Sequence, residues 1–285
     1  MAPSSTTKST DANSGNKFED LSGVAIKPGD NPYDALINAC QGSQAKLQAL
    51  YATHRTTRNA QQRDKFLTSE FNGLNIDQVL LRLENPDLEP GFKDPRDCLV
   101  AHSRTAEEIA SLVSSMRPAI PALTGLTFTR RSRLVKPMIS YDLSAVAVSF
   151  LPAAGEEVLS PPLVPAPSGD TPHADDDNYT YHHLRRDVFN KASETVAIAS
   201  RYVVPSAHIT LGRYLSQKDH ETPELRERWI QAIEDINKWL EKEVWEVKDG
   251  EFIGEWIVGQ ERGLDARCGK LWYGGGRTIM TGEGF

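Results

Sequence analysis

A histidine and a threonine, His208 and Thr210, stand two residues apart in the run V-V-P-S-A-H-I-T-L-G-R-Y-L, residues 203–215. The apolar residues around them indicate a β-strand, whose successive side chains point to opposite faces. His208 and Thr210 therefore share one face, and Ile209 and Leu211 share the other. A neutral imidazole can take a proton, and a hydroxyl beside it can donate to a phosphate oxygen, so the pair suits phosphoryl chemistry.

Two predicted helices flank this strand. The upstream segment Y-T-Y-H-H-L-R-R-D-V-F-N-K-A predicts a helix that uses Leu184, Val188 and Phe189 for apolar contacts. The downstream helix begins at Thr222 as N-cap, with Pro223 in the first helical position. Its apolar residues recur at helical spacing and predict one buried stripe, formed by Leu225, Trp229, Ile233, Ile236, Leu240 and Val244.

The rest of the chain alternates between helical and extended patterns. Helices are predicted from Pro32, over the following segment with Leu47, Leu50 and Tyr51 on one face, and from Ile76. Strands are predicted over Asp97 to His102 and Leu143 to Leu151, with a helix after Thr105, which forms a capping box with Glu108. This order of elements predicts an α+β (mixed α/β) protein.

We divide the chain into three parts and a loop. Residues 1–20 are predicted to be a disordered tail, 21–93 a helical extension and 94–285 the main domain, which contains a flexible Pro-rich loop at 152–177. The net charge is −7, which gives no general attraction to nucleic acid. Three scattered cysteines and the lack of an apolar leader or membrane span predict a cytoplasmic or nuclear protein.

The strand motif R-Y-V-V-P-S-A-H-I-T-L-G-R-Y resembles the C-terminal motif of the two-histidine (2H) phosphoesterase superfamily, which includes RNA ligase-like proteins and cyclic nucleotide phosphodiesterases. Further segments resemble the uncharacterised fungal branch of that group in the same order: L-L-R-L-E-N-P-D-L-E-P-G-F, H-S-R-T-A-E-E-I, Y-H-H-L-R-R-D-V-F and L-W-Y-G-G-G-R-T. The resemblance runs from about residue 30 to the end, apart from the Pro-rich loop.

The resemblance implies a bilobal fold in which each lobe supplies one His-x-Thr to a central cleft. One histidine acts as general base, the other as general acid, and the threonine hydroxyls hold the phosphate. Here His208 and Thr210 are the expected catalytic residues, and we assign substrate binding to Arg213 and Arg185. The reaction that the resemblance implies opens a 2′,3′-cyclic phosphate on a nucleotide or an RNA 3′ end, or in reverse forms a 2′-5′ linkage. No metal, cofactor, membrane contact or obligate protein partner is expected.

The first His-x-Thr of the family is missing at its expected place. In the family, this motif lies a few residues before the segment that H-S-R-T of this chain resembles. Here K-D-P-R-D-C-L-V occupies that upstream position. We therefore hypothesise that a strand–helix–strand is absent between Val100 and Ala101, through an omitted exon or a real deletion. The activity of the chain as written is expected to be impaired, because one of two cooperating acid–base groups contributes about 10²–10⁴ in rate.

Other polar groups are weaker candidates. His102 is interpreted as a strand-end histidine without a catalytic role, and His182 and His183 as polar surface on a helix. The run from Gly274 to Arg277 is interpreted as a hairpin turn, because no Walker-type lysine follows it. Two alternative functions stay open: a non-catalytic nucleotide- or RNA-binding relative, and a helix-rich interaction protein.

Overall fold

The computed structural model describes residues 23–24, 31–96, 98–103, 132–159, 177–194, 203–245, 247–248, 250–259, 263–273 and 276–281. Its helices are α1 (Pro32–Ala39), α2 (Gln44–Leu67), α3 (Gln78–Glu84), α4 (Tyr181–Ser193) and α5 (Pro223–Glu243). Its strands are β1 (Cys98–Ser103), β2 (Arg133–Tyr141), β3 (Ala145–Pro152), β4 (Ala207–Arg213), β5 (Glu255–Ile257), β6 (Leu264–Gly269) and β7 (Arg277–Thr281). The protein is therefore α+β, as the order of patterns predicts.

The strands form two antiparallel sheets. One has the order β1-β6-β7, and the other has the order β4-β3-β2-β5. The four-stranded sheet carries the His-x-Thr strand β4 at its edge, so that β4 has β3 as its neighbour on one side. Strand β1 runs without a break through the Val100–Ala101 junction and pairs with β6 across it. The hypothesis of an omitted segment at that junction stays a prediction about the gene.

Helix α2 ties the front of the chain to the four-stranded sheet. Leu47 and Tyr51, near its start, belong to a core cluster with β2, β3 and α4, and Phe66, near its end, belongs to a second cluster with α5. The long helix thus spans both clusters, and the segment predicted as a helical extension shares its core with the sheet. The domain boundaries themselves stay a prediction.

The helix starts follow from local sequence. Asn31 accepts from the Tyr33 backbone N–H ahead of Pro32 in α1, and Thr222 accepts from the Leu225 N–H ahead of Pro223 in α5. Both caps satisfy backbone donors that a helix start leaves exposed. The predicted apolar stripe of α5 is wrong at two positions. Ile236, which it includes, is 45% exposed, and Ile230, which it omits, is buried.

A buried ion cluster fixes the chain where it returns towards α4. The Arg133 guanidinium, at the start of β2, lies 2.6 Å from an Asp177 oxygen and 2.5 Å from a Glu255 oxygen. All three side chains are almost fully buried. Arg133 also donates to the backbone carbonyls of Glu156 and Glu157. One guanidinium therefore links β2, β5, the segment after β3 and the segment before α4.

Several predicted segments lie outside the described residues. They include the tail over 1–20, the helix after Thr105 and residues 160–176 of the Pro-rich loop. Strand β2 has no clear signal in the sequence. It carries Pro137 and a bulge, with Lys136 at a φ of 54°, so its side chains do not alternate regularly.

Candidate functional site

Strand β4 presents His208 and Thr210 on one face, as the alternation predicts. Their partners across the ladder are Ser149 and Ala147 of β3, which are themselves two residues apart. Directly opposed residues lie on the same face of a sheet. His208 and Thr210 are both exposed, whereas Ala207 beside them is buried in the core. The pair therefore faces solvent from a strand whose position the core fixes.

A bulge at Leu211 brings Arg213 to the same face. The register steps from Thr210 opposite Ala147 to Gly212 opposite Val146, which leaves Leu211 as the extra residue of β4. Leu211 is 59% exposed. Arg213 then pairs with Ala145, on the His208 face of β3. Simple alternation places Arg213 on the opposite face, and the bulge reverses that placement.

Two further guanidinium groups lie near the imidazole. Arg185 of α4 and Arg58 of α2 both act electrostatically on His208, and Arg213 adds a smaller effect. Arg58 is held by Asp142 at 2.6 Å, in the turn between β2 and β3. Of the four residues assigned from sequence, His208, Thr210 and Arg213 thus share one face of β4, and the charge of Arg185 acts on the His208 imidazole. Arg58 and Asp142 also act on it, and no local sequence pattern indicates either residue.

The imidazole of His208 is held in its neutral form. Partial burial lowers the pKa of His208 below its ordinary value of 6.5, and the positive charges of Arg185 and Arg58 lower it further, while Asp142 acts in the opposite direction. The Ser206 hydroxyl lies 3.0 Å from Nδ1 and orients the ring. A neutral imidazole at neutral pH is a competent general base.

The guanidinium of Arg213 contacts an acidic and an aromatic side chain. Its guanidinium lies 3.8 Å from Asp77 and over the ring of Trp272, 5.8 Å from the centroid. Tyr273 donates to the same Asp77 carboxylate. Arg213 is therefore held from the side by an ion pair and a cation–π contact.

The spacing His-x-Thr also occurs at two other places in the chain, His54–Thr56 and His220–Thr222. His54 lies in α2, where residues two apart point roughly 200° away from each other. It is buried, and the Thr56 hydroxyl bonds to the Ala52 carbonyl. His54 and Thr56 therefore do not share an exposed face.

In the second of these pairs, His220 and Thr222 also have separate structural roles. His220 is buried among the rings of Phe66, Tyr214 and Trp229, and Thr222 caps α5. Among the histidines whose side chains are described, His208 is thus the one that shares an exposed strand face with a threonine.

The interpretation of His182 as polar surface is wrong. Its side chain is 0% exposed and lies between the rings of Tyr33 and Tyr51. Its Nδ1 lies 2.7 Å from the Tyr51 hydroxyl. His183 is half-buried and bonds to the Thr180 hydroxyl at the start of α4. The backbone of His102 pairs within β1, and its side chain lies outside the described part.

The buried His182 predicts that acid destabilises the fold. Burial, then the charges of Arg185 and His183, lower the pKa of His182 to about 2. Below pH 6.5 the unfolded chain gains a proton that the folded protein does not bind. The free energy of unfolding therefore decreases by about 1.4 kcal/mol for each unit by which the pH is lowered. We expect a loss of about 2–3 kcal/mol from this group between pH 6.5 and 4.5, measured by urea unfolding.

The control for this prediction is His182→Asn, which offers Tyr51 an acceptor and cannot titrate. It should lose about 2–3 kcal/mol less than the wild type over the same pH interval. His208 and His220 also have lowered pKa values and add pH dependence of the same sign to both proteins. Equal losses in the two proteins would show that His182 does not titrate in this way.

Comparisons with protein-family models, with curated proteins and with solved structures find no match for this chain. Among the described residues, no helix is both long and apolar enough to cross a membrane. In the same part of the chain, no group of three or more histidine, cysteine, aspartate or glutamate residues has the arrangement of a metal site. The 2H phosphoesterase assignment therefore depends on the motif residues and on the geometry around His208.

Proposed function

We propose that the chain is a 2H phosphoesterase-like protein that binds the phosphate of a 2′,3′-cyclic nucleotide, or of an RNA 3′ end, at His208 and Thr210 and opens it by hydrolysis. The observation that carries the proposal is the shared face of His208, Thr210 and Arg213 on β4, supported by the positive charges of Arg185 and Arg58 that act on the imidazole. A local group of cations of this kind can hold an anion even though the chain as a whole is acidic.

Each residue has a role in the proposed reaction. Thr210 donates a hydrogen bond to a phosphate oxygen, and the guanidinium groups of Arg213 and Arg185 stabilise the negative charge. His208 takes a proton from water as the water oxygen attacks phosphorus. The bond from phosphorus to one ribose oxygen breaks, and that oxygen takes a proton from solvent. Protonation by solvent instead of by a second histidine makes this reaction slow.

The missing histidine partner favours a second candidate function. A protein with one strand-borne His-x-Thr can keep the phosphate site and lose turnover, which would make it a nucleotide- or RNA-binding relative. The cations and Thr210 serve binding equally well in both cases. Binding and turnover therefore have to be measured separately.

The test is incubation of the purified full chain with a nucleoside 2′,3′-cyclic phosphate in the presence of EDTA. The proposal expects slow formation of a nucleoside monophosphate, detected by chromatography, at a rate that EDTA does not change. Saturable binding without product would support the binding function instead. Absence of both binding and product would contradict both candidates.

A further inference from the structure

Arg185 is fixed by partners on two different parts of the fold. Its Nη1 donates to the Tyr51 hydroxyl of α2 at 3.1 Å and to the Val204 carbonyl, just before β4, at 2.9 Å. Its guanidinium also lies over the ring of Tyr33, 5.1 Å from the centroid. These contacts set the position of the guanidinium relative to the strand that carries His208.

The Tyr51 hydroxyl contacts both Arg185 and His182. Arginine has no acceptor, so the Tyr51 oxygen accepts from Arg185. In the His182 tautomer that carries its proton on Nε2, the Tyr51 hydroxyl donates its single proton to His182 Nδ1, 2.7 Å away. The Tyr51 ring is buried within the core cluster. Burial raises the pKa of Tyr51 and lowers that of His182, so the hydroxyl stays protonated and the imidazole stays neutral at neutral pH.

A tyrosine has a specific advantage in this position. Arg58 and Arg213 are each held by a carboxylate, Asp142 and Asp77 respectively, and a carboxylate offsets the positive charge that it positions. The hydroxyl of Tyr51 fixes the Arg185 guanidinium without adding a negative charge at that contact. The positive charge directed at a bound phosphate is therefore kept.

We propose that Tyr51 is a positioning residue, whose buried hydroxyl holds Arg185 where its guanidinium binds the phosphate anion at the His208–Thr210 site. This inference depends on the proposed function, because it assigns Arg185 to the phosphate. It also extends the site to α2, since the hydrogen-bonded chain runs from His182 through Tyr51 to Arg185.

The test uses Tyr51→Phe in the full chain, with inorganic phosphate as the ligand and NMR of the histidine rings as the readout. Loss of one neutral hydrogen bond is expected to weaken phosphate binding by about 2- to 10-fold. The pKa of His208 should rise towards its ordinary value as the Arg185 charge becomes less closely held, because Arg58, Arg213 and Asp142 keep their own partners. Arg185→Ala should produce larger changes in the same directions.

The matched control is Tyr141→Phe, which removes the hydroxyl of a tyrosine buried in the second core cluster. It should leave both the phosphate affinity and the pKa of His208 unchanged. If Tyr51→Phe only lowers stability and moves neither quantity, the positioning role is wrong. If the wild type fails to bind phosphate, the proposed function fails, and the pKa of His208 in Tyr51→Phe still decides whether Tyr51 positions Arg185.

Discussion

His208→Ala is expected to reduce the turnover of a 2′,3′-cyclic nucleotide by about 10²–10⁴-fold, because the variant loses its general base. His208 is exposed on β4, so the substitution should change the free energy of unfolding by no more than about 0.5 kcal/mol. The measurement is initial rate at saturating substrate, with urea unfolding of the same preparation to verify the fold.

Two further variants test whether the loss of turnover is specific to the His208 imidazole. Ile236→Ala removes an exposed side chain of similar size from α5, outside the proposed site, and should leave turnover unchanged. His208→Gln keeps a polar side chain but cannot take a proton at neutral pH, so it should be as inactive as His208→Ala. Turnover within 3-fold of the wild type in His208→Ala would mean that the imidazole is not the base, or that a contaminant produces the activity.

Arg133→Met is expected to lower the free energy of unfolding by about 3–5 kcal/mol, the loss typical of a buried ion pair that loses one partner. The substitution leaves the carboxylates of Asp177 and Glu255 buried without their counter-charge. Urea unfolding at pH 7 measures the effect.

The matched control is Arg58→Met, which breaks an ion pair of the same 2.6 Å length whose side chains are about one-quarter exposed. Water screens that pair, so its loss should cost about 1 kcal/mol or less. Combining Arg133→Met with Asp177→Asn and Glu255→Gln should restore part of the lost stability, since the uncompensated charges are removed. Equal losses in Arg133→Met and Arg58→Met would show that burial does not set the cost.

Local sequence rules account for the elements of the site but not for its assembly. The strand around His208 and the N-cap at Thr222 are confirmed, because alternation and capping act over a few residues. The position of Arg213 could not be predicted, since the bulge at Leu211 depends on how β4 pairs with β3. Arg58 could not be found either, because α2 is separated from β4 by more than a hundred residues.

Burial was the other quantity that the sequence did not determine. A histidine ahead of L-R-R in an amphipathic helix has the pattern of a surface group, yet His182 packs between two tyrosines that come from α1 and α2. The spacing His-x-Thr likewise occurs three times in the chain, and only the secondary structure around each pair separates a shared exposed face from a buried or capping role.

The most direct test of the central claim is an NMR titration of the His208 ring, with and without inorganic phosphate. We predict a pKa below 6.5 in the free protein, because partial burial and the neighbouring guanidinium groups disfavour the imidazolium ion. Bound phosphate should raise that pKa, since its negative charge favours the protonated ring. A pKa at or above 6.5 in the free protein, or one that saturating phosphate leaves unchanged, would contradict the claim that His208 lies in a phosphate site.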